Sequence, residues 1–386
     1  MRILHLSDLH IGKKINDISL LEDQKYVLDQ ALDIVTKENI DLVIIAGDIF
    51  DIPIPSSEAL KLYEYFTYSL IFDKKVKIIA ISGNHDSNSR IDYEAEMKGY
   101  IGYYISGVFD KNLSPITLED EFGPIDFYPI PYISPYQIRN IYDSKEIITF
   151  DDAYKKIIEE LPIDKNRRNI CISHCFVVNE DPKNEEMIKA NMNEEDEYQQ
   201  MKMVAGLEQV SSKHFEPFIY TALGHIHRSY NINDNMAYCG SLVKTHFEEE
   251  KFDKYFLIVD VKENSIDLKR IKVDLLRDMK IIKGNMEDIL GKFDSSNSYM
   301  KIILEDEEPI AFAMDKLRIK YPNILQLTYS NLYNEKYTSA IDLDRMTFSE
   351  VIGEFYKEKT GNNLSDKQKK VVRNVLERIG EKDEDN

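Results

Sequence analysis

Five histidines, three aspartates and an asparagine of this chain stand where short apolar runs stop. Ile3 to Ser7 leads into Asp8-Leu9-His10, Leu42 to Ala46 into Gly47-Asp48, and Val76 to Ile81 into Gly83-Asn84-His85-Asp86. Asn169 to Ser173 leads into His174, and Phe218 to Leu223 into Gly224-His225-Ile226-His227. The chain has 8 histidines, and five of them fall at these ends, a concentration that chance does not produce. Asp8, Asp48, Asn84, His10, His174, His225 and His227 together offer two carboxylates, an amide oxygen and four imidazoles. That mixed oxygen–nitrogen set suits Mn, Fe or Zn better than Ca, and the carboxylates and amide beside the histidines favour Mn. Seven ligands are too many for one tetrahedral ion but fit two ions roughly 3.5–4 Å apart, with Asp48 at the central position as the bridge. Such a pair activates water and neutralises both the attacking and the leaving oxygen of an in-line displacement at phosphorus. The residues therefore point to phosphoester hydrolysis.

The elements that must position them are legible too. Leu42 to Ala46 is apolar throughout, the pattern of a strand buried on both faces. In open α/β sheets ligands collect outside the carboxyl ends of such strands, and Gly47 lets other groups approach the backbone. Ser19 and Glu22 make a capping box that opens a helix from about Leu20 to Asn39, and the flanking strands complete a βαβ unit with parallel pairing. A second helix, near Ser57 to Phe72, carries Leu60, Tyr63, Tyr65, Phe66, Tyr68, Leu70 and Ile71 almost all round. Such a helix is either deeply buried or pairs with another chain, and the second reading is a homodimer helped by the tyrosine-rich stretch Tyr93 to Tyr104. A strand from Ile125 and a helix near Asp152 to Leu161 precede the His174 strand. From Asn179 to Gln200, eight acidic residues against two lysines read as an exposed loop.

Lys254 to Val261 and Ser265 to Val273 form a hairpin that closes a first domain, residues 1–273. Residues 274–332 repeat strand and helix patterns as a small α/β module with no grouped ligands. A linker, 333–346, precedes two helices in 347–380, each with a capping box (Thr347 with Glu350, Ser365 with Gln368) and Gly361 between them. This pair is too small to bury its own apolar faces and is expected to dock on something.

With 386 residues there is length for two to three domains. No apolar run approaches the roughly 18 residues of a membrane span, and Asp8 and His10 interrupt the only N-terminal apolar stretch, so no signal peptide is expected. Three unpaired cysteines (Cys171, Cys175, Cys239) suggest a reducing cytoplasm. Cys175, although beside His174, reads as a small buried hydrophobe. A net charge of −20 argues against a general polyanion-binding surface, yet permits a nucleic acid gripped at one local site. Lys13, Lys14, Arg90, Arg139, Arg228 and Lys244 follow the site motifs and are candidates to contact DNA phosphates. His5, His214 and His246 have no motif partner and read as structural.

Asp8-Leu9-His10, Gly47-Asp48, Gly83-Asn84-His85-Asp86, His174 and Gly224-His225-Ile226-His227, in that order, resemble the calcineurin-like metallophosphoesterase superfamily. Gly47 to Asp51, Pro131 to Pro135, Val204 to Val210 and Gly240-Ser241 are similar to its SbcD family of bacterial nuclease subunits, over essentially the whole chain. The resemblance implies a four-layered αββα catalytic domain with two manganese ions, a DNA-capping domain and a C-terminal helical pair that binds the SMC-type coiled-coil ATPase SbcC. It implies double-strand 3′ to 5′ exonuclease and single-strand or hairpin endonuclease activities, and work in DNA repair, recombination and replication at the nucleoid. Carried over motif by motif, Asp8, His10, Asp48 and His227 hold one ion, and Asp48, Asn84, His174 and His225 the other. His85 is the catalytic histidine that serves the leaving oxygen, with Asp86 orienting it. Archaeal and eukaryotic relatives place a second catalytic histidine three residues after the bridging aspartate. Asp51 stands there in this chain, either orienting a ligand or moving a proton.

A phosphoprotein phosphatase of the superfamily would show Arg-Gly after the second motif and end the third in Glu; Asp51-Ile52-Pro53 and Asp86 stand there instead. The main alternative is a small-molecule or cyclic-nucleotide phosphodiesterase, which needs the same metals but neither the extra module nor the docking helices.

Overall fold

The computed structural model describes residues 1–179, 208–291 and 297–330, with 349, 352–353, 355–357, 363–365 and 367–372 near the C-terminus. Expectations for the acidic stretch after Asn179, the 333–346 linker, the Thr347–Glu350 cap and Gly361 fall outside these residues.

Two six-stranded sheets are built from the apolar runs. In the first, Arg2–Leu6, Leu42–Ala46, Lys77–Ile81 and Tyr103–Ser106 run parallel, and the hairpin Tyr255–Val261 and Ile266–Lys272 closes one edge antiparallel. In the second, Met236–Tyr238, Tyr220–Gly224, Arg168–His174 and Gly123–Ile130 run parallel, with antiparallel strands Tyr230–Asn233 and Ile116–Asp120 at the edges. Strand side chains alternate between faces, and here both faces are covered. Ile3, Leu42, Ile44 and Ile79 meet Ile125, Phe127, Ile170 and Ile172 between the sheets. Their neighbours Leu4, Val43, Ile45 and Ile78 face outward onto helix residues Val27, Leu28, Ala31 and Phe66. On the far side, Tyr128, Ile130 and Cys171 pack on Ala153, Tyr154 and Ile157. The layers are thus helix, sheet, sheet, helix. Each fully buried aliphatic side chain contributes on the order of 1.5–3 kcal/mol.

The first helix runs Leu21–Lys37 with Glu22 and Asp23 in its first turn and Lys37 in its last, matching its dipole. Its expected Ser19–Glu22 capping box does not form. Leu20 is the N-cap and lends no side-chain bond, because Ser19 pairs with Lys14 in a small hairpin and Leu20 is buried against Phe247, Met279 and Tyr299. The second helix, Ser57–Tyr68, continues into a π-helical turn, Ser69–Asp73. It is two-sided rather than apolar all round: Leu62, Phe66 and Leu70 are core, while Leu60, Tyr65, Tyr68 and Phe72 are exposed. Tyr93, Met97, Tyr100 and Ile101 are exposed as well.

A smaller unit follows, with parallel strands Met279–Gly284, Tyr299–Leu304 and Ile324–Tyr329 and helices Met286–Gly291 and Ala313–Lys320. It has its own core of Ile289, Ile302, Leu304, Leu317 and Tyr321. Leu20, Phe247, Met279, Tyr299 and Leu325 join it to the larger unit, and Arg277 pairs with Glu22 and Asp23. One arm of the expected Ser365–Gln368 box is present: the Gln368 Oε1 accepts from the Ser365 N–H at 2.9 Å and from its hydroxyl at 2.8 Å. Beyond it, no helix among the described residues is long and apolar enough to cross a membrane.

Candidate active site

Because the motif strands run parallel within each sheet and the sheets stack, all five carboxyl ends open onto one place. The loops are then stitched together by backbone bonds. Asp8 N–H donates to Gly47 O at 3.0 Å, His10 N–H to Asp48 O at 3.0 Å, and Ile11 N–H to Ile49 O at 2.9 Å. Asp86 fastens the second and third ends: its Oδ2 accepts from Ile49 N–H (3.0 Å) and Gly83 N–H (2.9 Å), its Oδ1 from Phe50 N–H (2.9 Å). Between sheets, His174 Nδ1–H donates to Ala46 O at 2.8 Å and His225 N–H to Asp8 Oδ1 at 3.0 Å. This closeness requires glycine. A Cβ on Gly224 would lie 1.9 Å from Ala46 O, and one on Gly83 would lie 2.1 Å from Asp48 Oδ1. Asp8 (φ 50°), His10 (42°), Asp48 (50°) and His225 (99°) all adopt left-handed backbone, a conformation that costs of order 1–3 kcal/mol per residue and collects at functional sites.

The donor atoms face one another. His174 Nε2 lies 3.0 Å from Asn84 Oδ1 and 3.4 Å from Asp48 Oδ2. His225 Nδ1 is also 3.0 Å from Asn84 Oδ1, while His10 Nε2 is 3.0 Å from His227 Nε2 and 3.6 Å from Asp48 Oδ2. Ligand atoms of Asp8, His10 and His227, and of Asp8, Asp48 and His174, lie within 4.8 Å of one another. With its Nδ1–H committed to Ala46, a neutral His174 aims a lone pair at two acceptor oxygens. Such an approach is relieved by a proton on the ring or by a metal cation between the atoms, and the mixed donor set fits divalent ions.

Proton affinities in the cluster diverge accordingly. Burial raises Asp8, whereas Asp48, despite burial, is held well below the carboxylate range by His174 and His10. Against burial, the Asp48 charge lifts His174 to about 9; burial drives His225 down to about 3 and His10 well below its usual value. Asp8, His10, Asp48, His174, His225 and His227 could hold a divalent cation, which would take the place of the contested protons.

His85 lies at the edge of this group. Its N–H donates to Asp48 Oδ1 (2.8 Å), its ring meets that of His10 edge-on at 4.8 Å, and its Nδ1–H donates to the Asp51 carbonyl (2.9 Å). Asp51 thus braces His85 through its backbone, while its carboxylate holds Lys13 at 3.0 Å and stands 3.7 Å from His10 Nδ1. Lys14 and Arg90 are exposed. The Arg228 guanidinium stacks 4.1 Å over the Phe252 ring.

Two expected DNA contacts are engaged elsewhere. Arg139 donates to Ile147 O at 2.8 Å, and Lys244 is buried, donating to Glu250 O and pairing with Asp278 at 2.7 Å. Arg139 Nε and the Lys244 ammonium thus satisfy carbonyls and a carboxylate of the scaffold. His5 and His214 are structural: His5 bonds Tyr220 between the sheets, His214 bonds Asp151. Cys175 is a buried thiol pushed up to about 12 by burial. Sequence reasoning missed Glu249, Thr245 and Lys254, which surround His227 from behind; the Lys244 to Lys254 stretch shows no motif to announce them.

A family model described as calcineurin-like phosphoesterase matches residues 1–229, and one described as Type 5 capsule protein repressor C-terminal domain matches residues 275–360. The D subunit of the nuclease SbcCD from Staphylococcus epidermidis is 31% identical over 384 residues, covering 97% of this chain and 98% of that one. The chain belongs to the SbcD family of calcineurin-like phosphoesterases. The protein of the same name from Staphylococcus saprophyticus is 29% identical, again covering 97% and 98%. The calcineurin-like phosphoesterase family comprises metal-dependent hydrolases, and the facing donors just described meet that requirement in an SbcD-family chain.

Proposed function

We propose that the chain is a nuclease subunit that hydrolyses DNA phosphodiesters with two divalent ions, Mn2+ by preference. The observation that carries this reading is the delivery of seven ligand-type donors, facing one another at close range, to the shared carboxyl end of two stacked sheets. Asp8, His10, Asp48 and His227 hold one ion; Asp48, Asn84, His174 and His225 hold the other. Bound there, such ions activate water and neutralise the oxygens entering and leaving phosphorus. His85 positions its Nε2 at the site by anchoring Nδ1–H on the Asp51 carbonyl, so as imidazolium it can protonate a leaving oxygen. Asp86 fixes the loops that carry Asp48 and His85, and Lys13, paired with Asp51 beside His10, would meet a phosphate of the DNA.

The activities expected are double-strand exonuclease from 3′ to 5′ and single-strand or hairpin endonuclease, within a DNA-repair complex containing an ATPase of the SbcC type. In this reading residues 274–332 cap the DNA, and 347–380, beyond the 333–346 linker, dock the ATPase. Apolar Ile352, Phe355 and Val371 stand exposed on those helices. A homodimer forms over Leu60, Tyr65, Tyr68 and Phe72. Linear duplex DNA, hairpin DNA and a small phosphodiester, each offered to the Mn2+-loaded protein, separate the readings. Cleavage of both DNAs supports the nuclease; turnover of the small ester alone would favour a small-molecule phosphodiesterase.

A further inference from the structure

His227 is gripped from behind at both its ring and its backbone. Its Nδ1 lies 3.3 Å from Glu249 Oε1 and 3.2 Å from Thr245 Oγ1. The Thr245 hydroxyl, which also lies 2.9 Å from His246 Nδ1, donates its proton to Glu249 Oε1 at 2.8 Å, so its oxygen faces His227 as an acceptor. Lys254 Nζ, buried, bonds Glu249 Oε2, the His227 carbonyl at 2.9 Å and Ser241 Oγ at 2.8 Å. A ring of contacts results with the Glu249 carboxylate at its centre. Two acceptors at Nδ1 require the Nδ1–H tautomer, and that leaves the Nε2 lone pair directed at His10.

We propose that Glu249 is a positioning residue that fixes His227 as an Nε2 ligand, with Thr245 acting under its direction. The inference rests on the two-ion reading above. Without the carboxylate, the Thr245 hydroxyl is free to turn its proton onto His227 Nδ1, which moves the ring proton to Nε2 and blocks the lone pair. Partners of this kind, hydrogen-bonded behind a metal-binding histidine, typically govern affinity by about 10–100-fold.

The test removes the buried charge pair in two ways, so that no lysine is left unpaired. Glu249→Gln with Lys254→Met keeps an acceptor for His227; Glu249→Ala with Lys254→Met does not. Calorimetric titration with Mn2+ should find two ions per chain in the parent and in the Gln pair. In the Ala pair, one of the two sites should weaken by about 10–100-fold, with melting temperatures of the two pairs alike. Nitrogen-15 shifts of His227 in the metal-free protein should report Nδ1–H in the Gln pair and Nε2–H in the Ala pair. Should the Ala pair fail to fold, Glu249→Asp, which keeps the charge opposite Lys254 but draws the oxygen back by one carbon, should show the same one-site loss. Equal affinities and an unchanged tautomer across the variants overturn the proposal. A parent that binds fewer than two ions overturns the two-ion reading instead, and the His227 tautomer then decides the role of Glu249 alone.

Discussion

His85 separates catalysis from binding at the scale of single residues. It touches Asp48 through its backbone N–H and Asp51 through its ring, whereas the ligand-type donors face inward on one another. His85→Gln should therefore keep both ions and the parent melting temperature while single-turnover cleavage of DNA falls by about 10²–10⁴; an unchanged rate in a folded, loaded variant would contradict that role. A second residue-scale consequence concerns acid. Burial pushes His5 down to about 3, from an ordinary value of 6.5, so between those values the unfolded chain binds a proton that the folded chain does not. The stability this neutral ring contributes is complete above pH 6.5 and is lost as pH falls toward 3, by about 1.4 kcal/mol per unit. His5→Asn, which retains a hydrogen-bonding group for Tyr220, should flatten the decline in urea stability between pH 6.5 and 5.5, and identical declines would count against the assignment.

Among the elements, the parallel strands do the positioning, and the narrowest tolerance lies where the two sheets meet. A Cβ on Gly224 would fall 1.9 Å from Ala46 O and 2.8 Å from His174 Nδ1. Gly224→Ala must push the second sheet's ligand end away from the first, and overpacking of this kind typically costs about 1–3 kcal/mol. Thermal denaturation and Mn2+ titration should show a lowered melting point and weakened binding together; a parent-like variant would mean the sheets are less closely joined than described. The strands and their ligands were legible because parallel strands buried on both faces leave continuous apolar runs, and because glycine and the ligand residues punctuate their ends. What the sequence concealed depends on tertiary partners. Ser19 looks like a helix cap but is taken up by a hairpin. Lys244 looks like a phosphate contact but is buried against Asp278 and Glu250. Phe66, apparently part of an aromatic helix surface, is core. Glu249 reaches His227 across 22 residues, a contact that no local pattern encodes.

Considered whole, the molecule is a two-sheet catalytic unit to which a three-stranded unit is tied by Phe247, Tyr299 and the Arg277 ion pairs. Among the described residues, the catalytic unit's cores draw on none from the C-terminal helices. Deleting residues 345–386 should therefore abolish co-purification with an SMC-type ATPase and spare metal-dependent cleavage of single-stranded DNA; a retained complex would place the docking surface elsewhere. The central claim is that five strand ends from two sheets form one site for two ions that act together on a phosphodiester. Hairpin DNA cleavage, followed while stepwise equivalents of Mn2+ are returned to chelator-stripped protein, tests it most directly. The stripped protein should not cleave, the rate should climb to its plateau only as the second equivalent per chain is bound, and Asp48→Ala should not recover at any Mn2+ concentration. Cleavage by the stripped protein, or a full rate at one equivalent, would contradict the claim.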